Sequence, residues 1–258
     1  MSDSSFPTPM PCRLPQWALP QPLGKKKQTL LKTKPGTKCQ KFNLDEEGLN
    51  SVIHISNVLD STQLGDYIKC AATVPRVQGI GAFMKEKPRK EVFYKHSGSY
   101  VYSNVEHCTY PYPQHVNDVI TQLENAISSA CGVTLPFGKL DITGDICYDS
   151  SILRGGSVGA HSDDEAHWPF IVIFSLGQTR FLRIRNKSTK EFTNVELAHN
   201  SVVIMQGETF QKLYTHQVDK LFKDEPVGVR LSLNIRYAGQ SEEISQPPTK
   251  KSRIRSTY

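Results

Sequence analysis

A chain of 258 residues, 38% apolar and 22% charged, is long enough to bury a core of its own and needs no disulfide staples to stay folded. Its longest apolar run, residues 170–176, falls far below the roughly 18 residues a membrane-spanning helix requires. Six prolines within the first 22 residues interrupt any apolar leader, so neither a membrane span nor export is expected. The six cysteines are scattered without C-x-x-C pairs or a zinc cadence, which fits reduced thiols in the nucleus or cytoplasm.

In chain order, residues 1–41 come first. They hold eight basic residues against Asp3 alone, broken by proline and glycine, and are expected to form a flexible basic arm. A folded domain is expected over 42–244. Apolar spacing predicts a helix over 59–72 with Ser61 as its N-cap, and a second over 116–130 stopped by Gly132. From Leu140 onward β-rich runs recur at 142–148, 170–176, 179–185, 201–205 and 229–237, separated by Gly, Asn and Asp clusters. Residues 245–258, with Lys250, Lys251, Arg253 and Arg255, form a second basic tail. Both tails suit tracking of phosphates, and equally solubility or nuclear import. Helices followed by many short strands predict an α+β fold: a double-sheet jelly roll with N-terminal helices packed outside.

Chemistry concentrates in the strand-rich half. His161 and Asp163 are two residues apart, so on an extended segment both side chains point to the same side. A solvated loop histidine beside an acidic cluster would read the same way. His216 follows the apolar run 201–205 and precedes Val218, so a later strand could bring a second imidazole to the same point. Two histidines and one carboxylate are the set that holds non-haem Fe(II) while leaving positions open. In the run 230–236, strict alternation puts Arg230, Ser232, Asn234 and Arg236 on one face and Leu231, Leu233 and Ile235 on the other. A half-exposed strand would show this pattern, and so would a guanidinium fork built to bind a dicarboxylate.

At these residues the sequence resembles the AlkB family of 2-oxoglutarate- and Fe(II)-dependent dioxygenases. The motifs are His161-Ser162-Asp163-Asp164-Glu165, Ser175-Leu176-Gly177 with Arg180-Phe181, the distal His216, the Arg230–Arg236 strand, and an upstream Pro88-Arg89, Tyr94 and Tyr100-Val101-Tyr102-Ser103 segment. The resemblance runs over roughly residues 50–239, and from Met205 through Phe210-Gln211 to His216-Gln217-Val218 it is nearest in style to the AlkB domains of plant RNA-virus replicases.

The resemblance implies a double-stranded β-helix core and three cofactors or co-substrates: Fe(II), 2-oxoglutarate and O2. It implies His161, Asp163 and His216 as iron ligands and Arg230 on the distal carboxylate of 2-oxoglutarate, with Arg236 and Asn234 on the same strand nearby. Tyr148 would touch the co-substrate only if residues 150–156 carry an insertion, because the family's N-x-Y spacing falls on Ser150 and Ile152. Arg89, Tyr94, Tyr102, Glu165 and Trp168 would contact the nucleotide. The implied activity is oxidative demethylation of bases of the 1-methyladenine and 3-methylcytosine type in single-stranded RNA or DNA, with release of formaldehyde, by a monomer without membrane contact. The alternatives are action on N6-methyladenine, a protein or lipid substrate for the same chemistry, or a catalytically silent nucleic-acid-binding module.

Overall fold

The computed structural model describes residues 28–31, 37–80, 85–102, 105–131, 138–149, 156–163, 169–221 and 227–238. The chain begins with strands β1 (Gln28–Leu31), β2 (Lys38–Asn43) and β3 (Ser51–Ser56), followed by helix α1 (Ser61–Ala72). Strands β4 (Val77–Ile80), β5 (Glu86–Lys95), β6 (Tyr100–Tyr102), β7 (Val105–His107) and β8 (Thr109–Tyr110) lead into α2 (Gln114–Cys131). Then come β9 (Lys139–Asp149), β10 (Val158–His161), β11 (Phe170–Gly177), β12 (Arg180–Asn186), β13 (Phe192–Leu197) and β14 (Ser201–Gln206). The one-turn helix α3 (Phe210–Leu213), β15 (Tyr214–Val218) and β16 (Val229–Ala238) complete it.

The large sheet runs β1-β2-β3-β14-β11-β16-β9-β5-β4, and a four-stranded sheet runs β10-β15-β12-β13. Alternation along the central strands divides the apolar side chains between two cores. Ile171 and Ile173 of β11, with Val203 and Met205 of β14, pack against Leu182, Ile184, Val195 and Val218 of the smaller sheet. Val172, Phe174, Val202 and Ile204 face the other way, against Tyr67 and Ala71 of α1 and Val116, Ile120, Leu123 and Ile127 of α2. A strand buried on both faces is apolar over most of its length, which is why 170–174 and 202–205 read as unbroken hydrophobic runs. The three layers are helices, large sheet and small sheet, with the helices outside as the jelly-roll expectation has them.

Both predicted helices and all five predicted strand runs are present. Three expectations need correction. Asp60, not Ser61, caps α1: its Oδ1 accepts from the Thr62 and Gln63 amides at 2.9 Å, and Gln63 Oε1 accepts from the Asp60 amide at 3.3 Å. A carboxylate placed one residue earlier forms the reciprocal box that the serine cannot. The arm expected over 1–41 contains β1 and β2, paired to each other, with β2 also paired to β3, so the sheet starts well before residue 42. The rest of that arm, and the basic tail at 245–258, lie outside the described residues. Helices do not precede the strands as a block either, since β2, β3 and β5 join the large sheet from the N-terminal half.

One ion pair ties the helical layer to the sheet. Arg76 donates from Nε and Nη2 to the two oxygens of Asp145 on β9, both at 2.9 Å, and from Nη1 to the carbonyl of Ala71 in the last turn of α1 at 3.0 Å. Asp145 is 1% exposed. Removing the guanidinium alone would leave a buried, unpaired carboxylate, so Arg76→Met is expected to lower stability by about 3–5 kcal/mol in urea unfolding. Arg76→Met combined with Asp145→Leu is expected to recover most of that loss.

Candidate active site

Strands β10 and β15 pair antiparallel with His161 opposite His216, and their rings lie 4.2 Å apart between centroids. Asp163 follows two residues after His161, and one donor atom from each of the three residues falls within 4.8 Å of the others. The expected triad is thus assembled by one strand pair and the residues that leave it. The Gly159 carbonyl, 2.8 Å from His161 Nδ1, can only accept, so Nδ1 carries the proton and Nε2 keeps its lone pair for a ligand bond. His216 Nε2 lies 3.7 Å from Asp163 Oδ2.

The electrostatics suit a divalent cation. Burial, reinforced by His161, lowers the pKa of His216 to about 3, and burial lowers that of His161 as well. Both imidazoles are therefore neutral at pH 7, as metal ligation requires. Burial works against the charge on Asp163, but Arg236 and the two imidazoles outweigh it and hold its pKa at about 2. Arg236 Nη2 reaches both carboxylate oxygens, at 3.3 and 3.2 Å. The donor set, two neutral nitrogens and one carboxylate, fits Fe(II).

On the inner face of β16 the alternation places the other expected residues. Arg230 is 1% exposed and donates from Nη2 to Ser175 Oγ at 3.1 Å and Ser232 Oγ at 3.0 Å. Its Nε and Nη1 are buried without a hydrogen-bond acceptor, and among the described residues no carboxylate pairs with it. Burial, aided by Arg180 and opposed by Tyr148, brings its pKa down to about 10, which still leaves the group charged at neutral pH. A buried cation without an anion is costly, and a carboxylate-bearing ligand supplies what it lacks. Tyr148 on β9 stands opposite Arg230 in register, its ring centroid 5.2 Å from the guanidinium carbon. Asn234 donates to the Gly144 carbonyl at 3.3 Å. Arg230, Asn234, Arg236, Tyr148 and the triad all line one cavity.

Arg89 lines the same cavity, held by Glu91 Oε2 at 3.0 Å from its Nε and by the Ser157 carbonyl at 3.1 Å from its Nη1. Tyr94 does not join it. Along β5, Arg89, Glu91 and Phe93 share a face, while Val92 and Tyr94 point to the helical layer, where Tyr94 packs near Tyr112 at 6.1 Å. Phe93 takes the place expected of Tyr94: it lines the cavity with Tyr100, their rings 5.0 Å apart, and the His107 ring packs against Phe93 at 5.1 Å, tilted by 60°. The parity of the polar residues Arg89 and Glu91 is the signal that singles out Phe93. Tyr102 stands in β6 opposite Val105. Glu165 and Trp168 lie outside the described residues, as do Ser150 and Ile152.

Residues 51–236 match the family described as the 2OG-Fe(II) oxygenase superfamily. The solved structure of OsALKBH1 superposes on the chain with a TM-score of 0.52 at 16% sequence identity, covering 81% of this chain and 100% of that one. That likeness carries the jelly-roll fold. No curated protein matches the chain in sequence.

Because Arg230 is buried without a counter-ion, Arg230→Met is expected to leave the thermal midpoint unchanged or raised. The same variant is expected to lose at least about tenfold in 2-oxoglutarate affinity, measured by calorimetry with Mn(II) present.

Proposed function

The chain belongs to the 2OG-Fe(II) oxygenase superfamily, a 2-oxoglutarate- and Fe(II)-dependent dioxygenase, and we propose that it removes N-methyl groups oxidatively from bases of single-stranded nucleic acid. The observation that carries this reading is the make-up of the cavity: the His161–Asp163–His216 cluster shares it with Phe93, Tyr100 and the Arg89 guanidinium. Flat aromatic rings offer stacking to any base, and a fixed guanidinium suits a nucleotide better than an aliphatic chain. The basic ends of the sequence favour the same class of partner. A base held inside a duplex cannot enter such a cavity, which favours single-stranded or flipped-out targets.

His161, Asp163 and His216 would hold Fe(II). Arg230, with Ser175, Ser232 and Tyr148 around it, would bind the distal carboxylate of 2-oxoglutarate. Bound there, the iron supplies the oxidising power: O2 converts 2-oxoglutarate to succinate and CO2 and hydroxylates a C–H bond of the substrate. The protein's own task is placement. Arg236 keeps Asp163 ionised and oriented, and the His161 tautomer is fixed by the Gly159 carbonyl. Phe93 and Tyr100 would stack on the base so that its N-methyl group points toward the triad that shares their cavity. The apolar wall of Ile146, Ile171, Ile173 and Val158 limits water in the same space. A hydroxylated N-methyl group is a hemiaminal, which releases formaldehyde and restores the base.

The test is a panel of oligonucleotides carrying 1-methyladenine, 3-methylcytosine or N6-methyladenine, as single- and double-stranded RNA and DNA, with methylated peptides as the contrasting substrate class. Formaldehyde and succinate are expected in equal amounts from single-stranded nucleic acid and not from peptides. Asp163→Ala is expected to cut turnover by more than about a hundredfold, because the remaining groups no longer fix the ion. Phe93→Ala is expected to raise KM for the oligonucleotide about tenfold, the value of one lost stacking contact. Turnover on peptides alone would overturn the assignment of nucleic acid.

A further inference from the structure

The ladder between β10 and β15 ends with His161 opposite His216. Strand pairing therefore fixes the backbone at both histidines but leaves Asp163, two residues on, beyond the last paired position. A buried amide at that point must find an acceptor elsewhere or cost stability. It donates to Gln211 Oε1 at 3.0 Å. The neighbouring Ser162 Oγ donates to the Tyr214 carbonyl at 2.9 Å.

Both acceptors belong to the short segment that turns directly into β15 and so delivers His216. That segment is itself fixed. Phe210 and Gln211 are buried, the Phe210 and Tyr214 rings lie 5.4 Å apart, and Tyr214 Oη donates to the Leu44 carbonyl at 2.8 Å. Lys187 donates from its backbone amide to the Leu213 carbonyl at 2.8 Å and from Nζ to the Gln211 carbonyl at 2.5 Å.

We propose that Gln211 is a positioning residue for the metal site: its side-chain amide, not the β-ladder, fixes the Asp163 backbone, so that the carboxylate Arg236 orients stands beside His161 and His216. The proposal rests on these three residues being the metal ligands. Glutamine suits the place because it offers a neutral acceptor of the right reach. An apolar side chain would leave the Asp163 amide unpaired and the backbone there free to shift, carrying the carboxylate away from the imidazoles. Gln211 touches neither substrate nor co-substrate in this scheme and acts only through Asp163.

The test is Co(II) binding to the full-length apoprotein, read from the visible d–d spectrum of the bound ion, in Gln211→Met and Gln211→Glu. Methionine matches the length of glutamine and removes the acceptor, and glutamate keeps an acceptor. Gln211→Met is expected to bind Co(II) at least about tenfold more weakly and with an altered spectrum, while Gln211→Glu stays within about threefold of the parent. Thermal midpoints of the apoproteins are measured alongside, and the titrations run well below all of them, so that loss of fold and loss of the site are separated. Gln211→Ala, which also lacks the acceptor, replaces the methionine variant if that one does not fold.

Parent-like affinity and spectrum in Gln211→Met overturn the proposal. So do equal losses in both variants, since the effect would then not follow the acceptor. Asp163→Ala is the separate control: if it binds Co(II) as the parent does, the ligand assignment itself is wrong.

Discussion

The site depends on keeping one carboxylate ionised inside the protein. Asp163 is 9% exposed, and an isolated anion at such a depth would take up a proton instead of bearing the charge. Arg236 faces both of its oxygens, and the two imidazoles beside it are neutral, so the local balance before metal binding is one anion against one guanidinium. A divalent ion entering this group meets a ligand set that has already been deprotonated, and binding need not be preceded by proton loss. Arg230, further along the same strand, is the reverse case: a buried cation whose two unsatisfied nitrogens await an anion from outside. The two arginines thus divide the work, one stabilising the protein's own carboxylate and the other recruiting a carboxylate from the co-substrate.

Both roles follow from β16 lying in the middle of the large sheet, between β11 and β9. Its apolar residues Leu233, Ile235 and Tyr237 are drawn into the core beneath the helices, and the intervening polar residues have no choice but to face the small sheet. There they meet β10 and β15. The chemistry is therefore placed at the interface of the two sheets by the same alternation that builds the helical core, with Ser175 of β11 and Tyr148 of β9 contributed by the flanking strands.

Much of this was legible in the sequence because it rested on a period of two. Arg230 through Arg236 keep their faces whatever the neighbours do, and the same period pairs His161 with Asp163, although Asp163 lies past the last paired position. The strands at 38–43 and 51–56 were not legible, since their composition is mixed and they enter the sheet through the pairing of β3 with β14, far away in the chain. Tyr94 failed for another reason: Val92, Phe93 and Tyr94 are all buried, so hydrophobicity could not say which of the two cores each one enters. Only the polar residues upstream carried that information. Asp60 and Ser61 are both good caps, so composition alone does not separate two helix starts one residue apart. Gln211 stands within the stretch that resembles viral AlkB domains, but no periodicity marks its role, because its partner is a backbone amide 48 residues earlier.

Strict alternation along β16 has a genetic corollary. Substitutions at Leu231, Leu233 or Ile235 can be absorbed by repacking, but adding or deleting one codon among them reverses the facing of everything downstream. Arg236 would then be driven under the helices and Ile235 or its replacement would be turned onto the metal carboxylate, while Arg230 kept its place. For this stretch of the gene, length is under tighter constraint than spelling.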